Sequence, residues 1–292
     1  MGDHLSSAIR RAASWWFEPV ARGRIAALRT ILYLFIFVDV LLTTAWVARH
    51  ALVPGELYDP LLIGRLLPLP IPGPVLVAVV EILLLVAAAI GATGKWPRAA
   101  GVAVALLYLE WMVIAFSYGK VDHDRFAFLV ALAVLPTVGP ARLRDRTKDN
   151  ASGWAVRAIQ VAVVLTYLLA AFAKFRFGGF DWATGATLMR SVIRRGTDLG
   201  GVLVQVPWLL VATQWFIIVF ELASPLLLVP GRVGRYMLIV YVVFHILTYA
   251  AISIVFLPHV MCLLAFLPLE NATLPRPLRS RAERRRLPSR VT

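Results

Sequence analysis

The chain has 292 residues, is 60% hydrophobic and only 16% charged, and carries a formal net charge of +14 with a mean hydropathy of +0.78. Soluble domains are about 45–50% apolar and about 25% charged, so this composition excludes an ordinary soluble globule and indicates a polytopic membrane protein. The positive charge does not indicate a nucleic-acid partner, because the basic residues flank apolar segments, as positive-inside sorting requires. Cys262 is the one cysteine, which excludes a disulfide framework.

Residues 5–20, LSSAIRRAASWWFEPV, set Arg10 and Arg11 beside Trp15, Trp16 and Phe17. This suits a short helix lying in the bilayer interface. The pattern then predicts eight spans, at 25–48, 74–92, 98–117, 125–139, 154–173, 207–229, 234–250 and 252–268. A full crossing needs about 20 residues, and the fourth and the last two are short. With a cytoplasmic N-terminus, nineteen basic residues fall inside and nine outside, with Arg29 and Arg157 within spans. That bias predicts a multi-pass cell-membrane protein with both termini cytoplasmic. The expected fold is an all-α helical bundle in three parts: an interfacial segment 1–24, a transmembrane domain 25–270 and a basic tail 271–292 expected to be disordered. Richness in Ala, Val and Arg suggests a bacterial inner-membrane protein. No secretory signal, internal repeat, Walker loop, dinucleotide fingerprint, CxxC or HExxH occurs. Asn150-Ala-Ser and Asn271-Ala-Thr match a glycosylation pattern on the predicted cytoplasmic side and are read as chance.

Ionisable residues inside apolar spans cost about 2.5–3.5 kcal/mol or more each at mid-bilayer, so each needs a partner or a purpose. Arg29 and Asp39 lie in the first span; Asp39 could pair with Arg29 or with an outer-loop arginine, and both are assigned to folding. Glu81 and Glu110 are assigned to structural pairing. Glu221, mid-span in WFIIVFELASPLLLV, is either a helix–helix hydrogen bond or a site residue. His245, in YMLIVYVVFHILTYAAISIVF, has Tyr241 and Tyr249 four residues to either side, so the three are expected on one face. It is either satisfied by a tyrosine hydroxyl or part of a site. In VDHDRFAF, His123 stands between Asp122 and Asp124 at a helix entrance, where capping and a site role both fit. Adjacent Asp-His-Asp lacks metal-ligand spacing, and no metal site is expected.

LAAFAKFRFGGFDWATG, residues 169–185, ends an apolar run with Lys174, one of four lysines among 30 basic residues. Lysine can serve as a membrane-interface anchor. Unlike arginine, it can also lose its proton when desolvated and act as a base.

Four stretches, in order, resemble the horizontally transferred transmembrane (HTTM) domain family, the membrane portion shared by vitamin K-dependent γ-glutamyl carboxylase and many bacterial proteins. They are RIAALRTILYLFIFVDVLL, SYGKVDHDRFAFLVALAVLP, YLLAAFAKFRFGGFDWATGATLM, and FELASPLLLV with FHILTYAAISIVF. The likeness covers roughly residues 22–268. In the carboxylase, the lysine of the third stretch deprotonates vitamin K hydroquinone. Oxygen then yields an epoxide through a strongly basic alkoxide, which removes a glutamate γ-proton so that the carbanion takes carbon dioxide. The resemblance implies Lys174 as base, with His123, His245 and Glu221 as catalytic partners. It also implies Asp181, Trp182, Tyr241 and Tyr249 around a quinol of the vitamin K or menaquinone kind. That quinol and the lipid bilayer are the expected partners, and the protein partner is unknown. Two features depart from the carboxylase. The interval GPARLRDRTKDNASGWAVRAIQ lacks its histidine, and a basic tail stands where the carboxylase carries a large lumenal domain. The fold therefore carries over better than the reaction. A non-catalytic membrane subunit or scaffold, and a transporter of a small solute or lipid, are the alternatives.

Overall fold

The computed structural model describes residues 2–67 and 69–271. The first segment forms a helix, α1 (Gly2–Trp16), and Trp16 packs 5.8 Å from Trp154. Beyond it the fold is all α, apart from a two-residue antiparallel ladder that pairs β1 (Val20–Ala21) with β2 (Lys148–Asp149). The expected tail at 272–292 lies outside the described residues.

Among the described residues, five helices have the length and apolarity to cross a membrane. α2 (Arg22–Val38) runs on through a π-turn at Asp39–Thr43. α4 (Pro74–Ala92) and α5 (Pro97–Phe116) form a hairpin after the short α3 (Leu62–Leu66). α7 (Asn150–Gly178) is the longest at 29 residues, and α12 (Arg232–Ile252) exposes most of its apolar side chains. Several starts are written locally. Pro74 and Pro97 open their helices where no N–H is needed, and the Asp149 carboxylate accepts from Ser152 N at 2.7 Å to cap α7.

The other three predicted spans are short. The 125–139 segment is the nine-residue α6 (Phe126–Val134) followed by a 3₁₀ turn. At 1.5 Å per residue, α6 is about 14 Å long against a hydrocarbon core of about 30 Å. The 207–229 segment is the 16-residue α11 (Pro207–Leu222) plus a 3₁₀ turn. The 252–268 segment begins with an unwound stretch at 253–256, and its helix α13 (Leu257–Cys262) has six residues.

The main core joins α2, α4, α5, α6 and α7. A Cβ on Gly91 would lie 2.6 Å from the Tyr33 ring, so glycine there is what lets α4 approach α2. The charges inside the first span both find partners, although Arg29 Nε has none among the described residues. Arg29 donates to the carbonyls of Leu135 and Val138 at 2.9 and 2.8 Å, covering the C-terminal turn after α6. Asp39 pairs with Arg125, the outer-loop option, and accepts from Tyr108 Oη at 2.8 Å. Three short helices, α8 (Asp181–Thr184), α9 (Thr187–Arg195) and α10 (Asp198–Leu203), cover the end of the bundle where α7 stops.

Candidate functional site

A cavity of about 480 Å³ lies beneath that cover, walled by α7, α9, α10, α11, α12, the start of α13 and the turn at 123–125. Its lining is mainly aliphatic and aromatic. Seven titratable side chains reach it among the described residues: His123, Asp124, Tyr167, Lys174, Glu221, His245 and His259.

Lys174 sits in the last turn of α7. Helical side chains lean toward the helix N-terminus, so its stem runs back into the bundle and not out to the interface. Its Nζ donates to Glu221 Oε1 at 2.5 Å and lies 3.5 Å from the Ala170 carbonyl. The two side chains are 17% and 7% exposed. The Trp182 ring covers the ammonium at 5.0 Å, within cation–π range. An interface anchor would put its head in solvent; this lysine points the other way. Gln214 of α11, fully buried, holds the segment that carries Trp182. Its Nε2 donates to the carbonyls of Ala183 and Gly185 at 2.8 and 3.0 Å, and its Oε1 accepts from Leu188 N at 2.6 Å.

His245 is satisfied on one side, with Nε2 2.8 Å from Tyr167 Oη, and its Nδ1 has no partner among the described residues. Both ring nitrogens of His259, which is 2% exposed, are likewise without partners. The rings of His245 and His259 are 5.7 Å apart, and His259 meets Tyr167 edge-on at 4.6 Å. His123 packs 5.9 Å from Phe256. Although the residue is exposed at one side, desolvation by the surrounding wall, and then the nearby Lys174 charge, push its imidazole below the usual range. Asp122 makes no side-chain cap and pairs with Lys120 at 2.8 Å.

The remaining expected site residues stand elsewhere. Tyr241 is buried behind the wall, its hydroxyl donating to the Phe220 carbonyl at 2.6 Å and its ring 4.5 Å from Tyr167. Tyr249 does not share the inward face and is 57% exposed. At 100° per residue, eight residues from Tyr241 leave it 80° off that face. Asp181 is exposed at the start of α8 and does not line the cavity. Two lining residues went unnoticed in the sequence. Tyr167 lies seven residues before Lys174, two turns along the same face. His259 is a histidine in an apolar run, the same signal that marked His245. Among the described residues, no group of three His, Cys, Asp or Glu side chains is placed to hold a metal ion.

The family model described as the HTTM domain matches residues 17–271 of the chain. No curated protein and no solved structure matches it.

Proposed function

We propose, from the premise that this chain belongs to the HTTM domain family, that it is a membrane enzyme taking a lipophilic quinol into the Lys174 cavity, with Lys174 as the base. The observation that carries this reading is the Lys174–Glu221 pair at 2.5 Å, sheltered by Trp182 at the edge of a mainly apolar chamber. The residues fit such a group. A cavity of about 480 Å³ is within the ordinary range of about 300–1,000 Å³ for small-ligand sites, and it has the usual composition of apolar walls with a few convergent polar groups.

A bound quinol would supply a weakly acidic ring hydroxyl. The Lys174 Nζ–Glu221 Oε1 contact gives a path for one proton to pass between the two groups. With that proton on Glu221, neutral Nζ accepts the hydroxyl proton: the ring O–H bond breaks, an N–H bond forms, and Lys174 becomes a cation beside the oxygen. Glu221 thus makes a neutral lysine accessible in a place too dry to hold an isolated charge. Trp182 excludes water from Nζ, and His245, fixed by Tyr167, faces the same chamber.

The test is anaerobic titration of purified protein with a short-chain naphthoquinol, following the ring absorbance that marks deprotonation. Wild type is expected to bind and to show that band below the free quinol's pKa. Lys174→Met and Lys174→Arg are both expected to lose the band, because arginine keeps the charge but cannot release its proton. Retention of the band in Lys174→Met would remove the base assignment. Absence of quinol binding in wild type would favour the scaffold reading.

A further inference from the structure

A second cavity, of about 1,000 Å³, opens at the opposite end of the bundle. α7 separates the two, since the loop before its first residue lines one cavity and Lys174 in its last turn lines the other. The second cavity lies between the start of α2, the α4–α5 turn at Thr93–Gly94, and the loop 140–145. Four arginines face it: Arg22, Arg29, Arg142 and Arg144.

Two of these build the walls. Arg29, 2% exposed, spends its guanidinium on the carbonyls at 135–139 that lead into the loop. Arg22 donates to the Pro140 carbonyl, and its Nε lies 3.3 Å from Asp149 Oδ2. The backbone pins the loop further, with Gly23 N donating to the Asp145 carbonyl at 2.8 Å and Arg22 N to the Thr147 carbonyl at 2.9 Å. A Cβ at position 23 would stand 2.8 Å from the Asp145 carbonyl oxygen, so only glycine permits this approach.

The other two, Arg142 and Arg144, are exposed, and their guanidinium groups make no hydrogen bond or ion pair among the described residues, although the Arg142 charge is near enough to act on Asp145. The one carboxylate at the rim, Asp145, is turned onto its own loop, accepting from Thr147 N at 2.9 Å. A folded loop therefore presents two unpaired guanidinium groups to a roomy cavity at the level where helices α2 and α5 begin. Planar guanidinium groups match phosphate oxygens in bidentate fashion, and basic pockets between helix ends suit lipid headgroups.

We propose that this cavity is a binding site for a phosphate group, held by Arg142 and Arg144 and supplied by the headgroup of an anionic membrane lipid. The site is independent of the Lys174 chamber.

The test uses full-length protein, delipidated in a neutral detergent. It is titrated with phosphatidylglycerol, phosphatidylcholine or inorganic phosphate, and binding is read by native mass spectrometry and by the shift in melting temperature. Phosphatidylglycerol is expected to bind at least ten-fold more tightly than phosphatidylcholine. The double variant Arg142→Gln/Arg144→Gln should weaken phosphatidylglycerol about thirty-fold, from two charges at the headgroup, while melting like wild type without lipid. Arg194→Gln/Arg195→Gln, which removes two exposed charges from the other end of the bundle, should change binding less than three-fold. Inorganic phosphate that binds and displaces phosphatidylglycerol would keep the site and name the free anion as an alternative source. Undiminished phosphatidylglycerol binding in the first double variant, or an equal loss in the second, would overturn the proposal.

Discussion

His123 and Asp124 are neighbours in one turn, yet their titrations pull in opposite directions. Burial outweighs the Arg125 charge and raises the Asp124 carboxyl to about 6, so the folded state holds its proton more tightly than the unfolded chain. That group favours folding most below its ordinary range near 4, and the advantage is lost as pH climbs toward 6. His123, although partly open to solvent, is lowered by desolvation and by Lys174, so the unfolded chain binds its proton more tightly, and stability from this group grows as pH rises toward about 6.5 and levels off above it. The two slopes have opposite signs in the acid range below about pH 6.5. Asp124→Asn removes the falling component, of order 2–3 kcal/mol, and is expected to make stability rise more steeply with pH than in wild type. Unfolding midpoints measured in detergent across pH 4–7 check this, and an unchanged slope would contradict the burial of Asp124. At this scale the sequence marks chemistry by residue type in the wrong solvent. Lys174, Glu221 and His245 were legible that way, and His259 could have been. Which nitrogen stays unpaired, and that Glu221 reaches Lys174 from 47 positions away, depends on how α7 and α11 cross, and no local pattern encodes it.

Among the elements, α2 shows how a span tolerates charge. Its C-terminal turn is a π-turn, in which Thr44 N reaches back to the Asp39 carbonyl at 2.7 Å. This wider turn lets Thr43 and Thr44 gather around Asp39, whose carboxylate also holds Arg125 and Tyr108. Arg125 stands at the mouth of α6 and is 8% exposed. The short α6 is thus tied at one end by Arg125 to α2, and at the other by Arg29, again from α2. Its apolar run was readable as a span because composition reports solvent and not length. Its ends are set by side chains about 85–110 positions away, which is why the boundary at 139 overreached. Breaking a buried ion pair by removing one partner costs about 3–5 kcal/mol, and removing both costs less. Arg125→Met is therefore expected to destabilise by that amount, and Asp39→Asn/Arg125→Met by clearly less than the sum of the two single changes. A double-mutant cycle on unfolding free energies measures the coupling; additivity within about 0.5 kcal/mol would show that the pair acts independently.

For the whole molecule, the two charged cavities lie at opposite ends of the bundle. The Lys174 chamber lies at the end where α7 and α12 finish, and the arginine-walled cavity at the end where α2, α5 and α7 begin. By the positive-inside rule, the excess of basic residues at the second end leads to the expectation that this end faces the cytoplasm and the chamber the outside. α7, at 29 residues, is about 43 Å long and must carry residue 146 and residue 194 to opposite sides of a hydrocarbon core about 30 Å thick. Both positions are exposed arginines. Single cysteines at Arg146 and Arg194, each in a Cys262→Ser background, are expected to differ in intact cells. A membrane-impermeant maleimide should label position 194 and reach position 146 only after the membrane is permeabilised. The reverse labelling would invert the orientation while leaving the fold intact, and would move the Lys174 chamber to the cytoplasmic face. Labelling of both positions in intact cells would mean that α7 does not cross the membrane, and the whole reading of the bundle would fail with it.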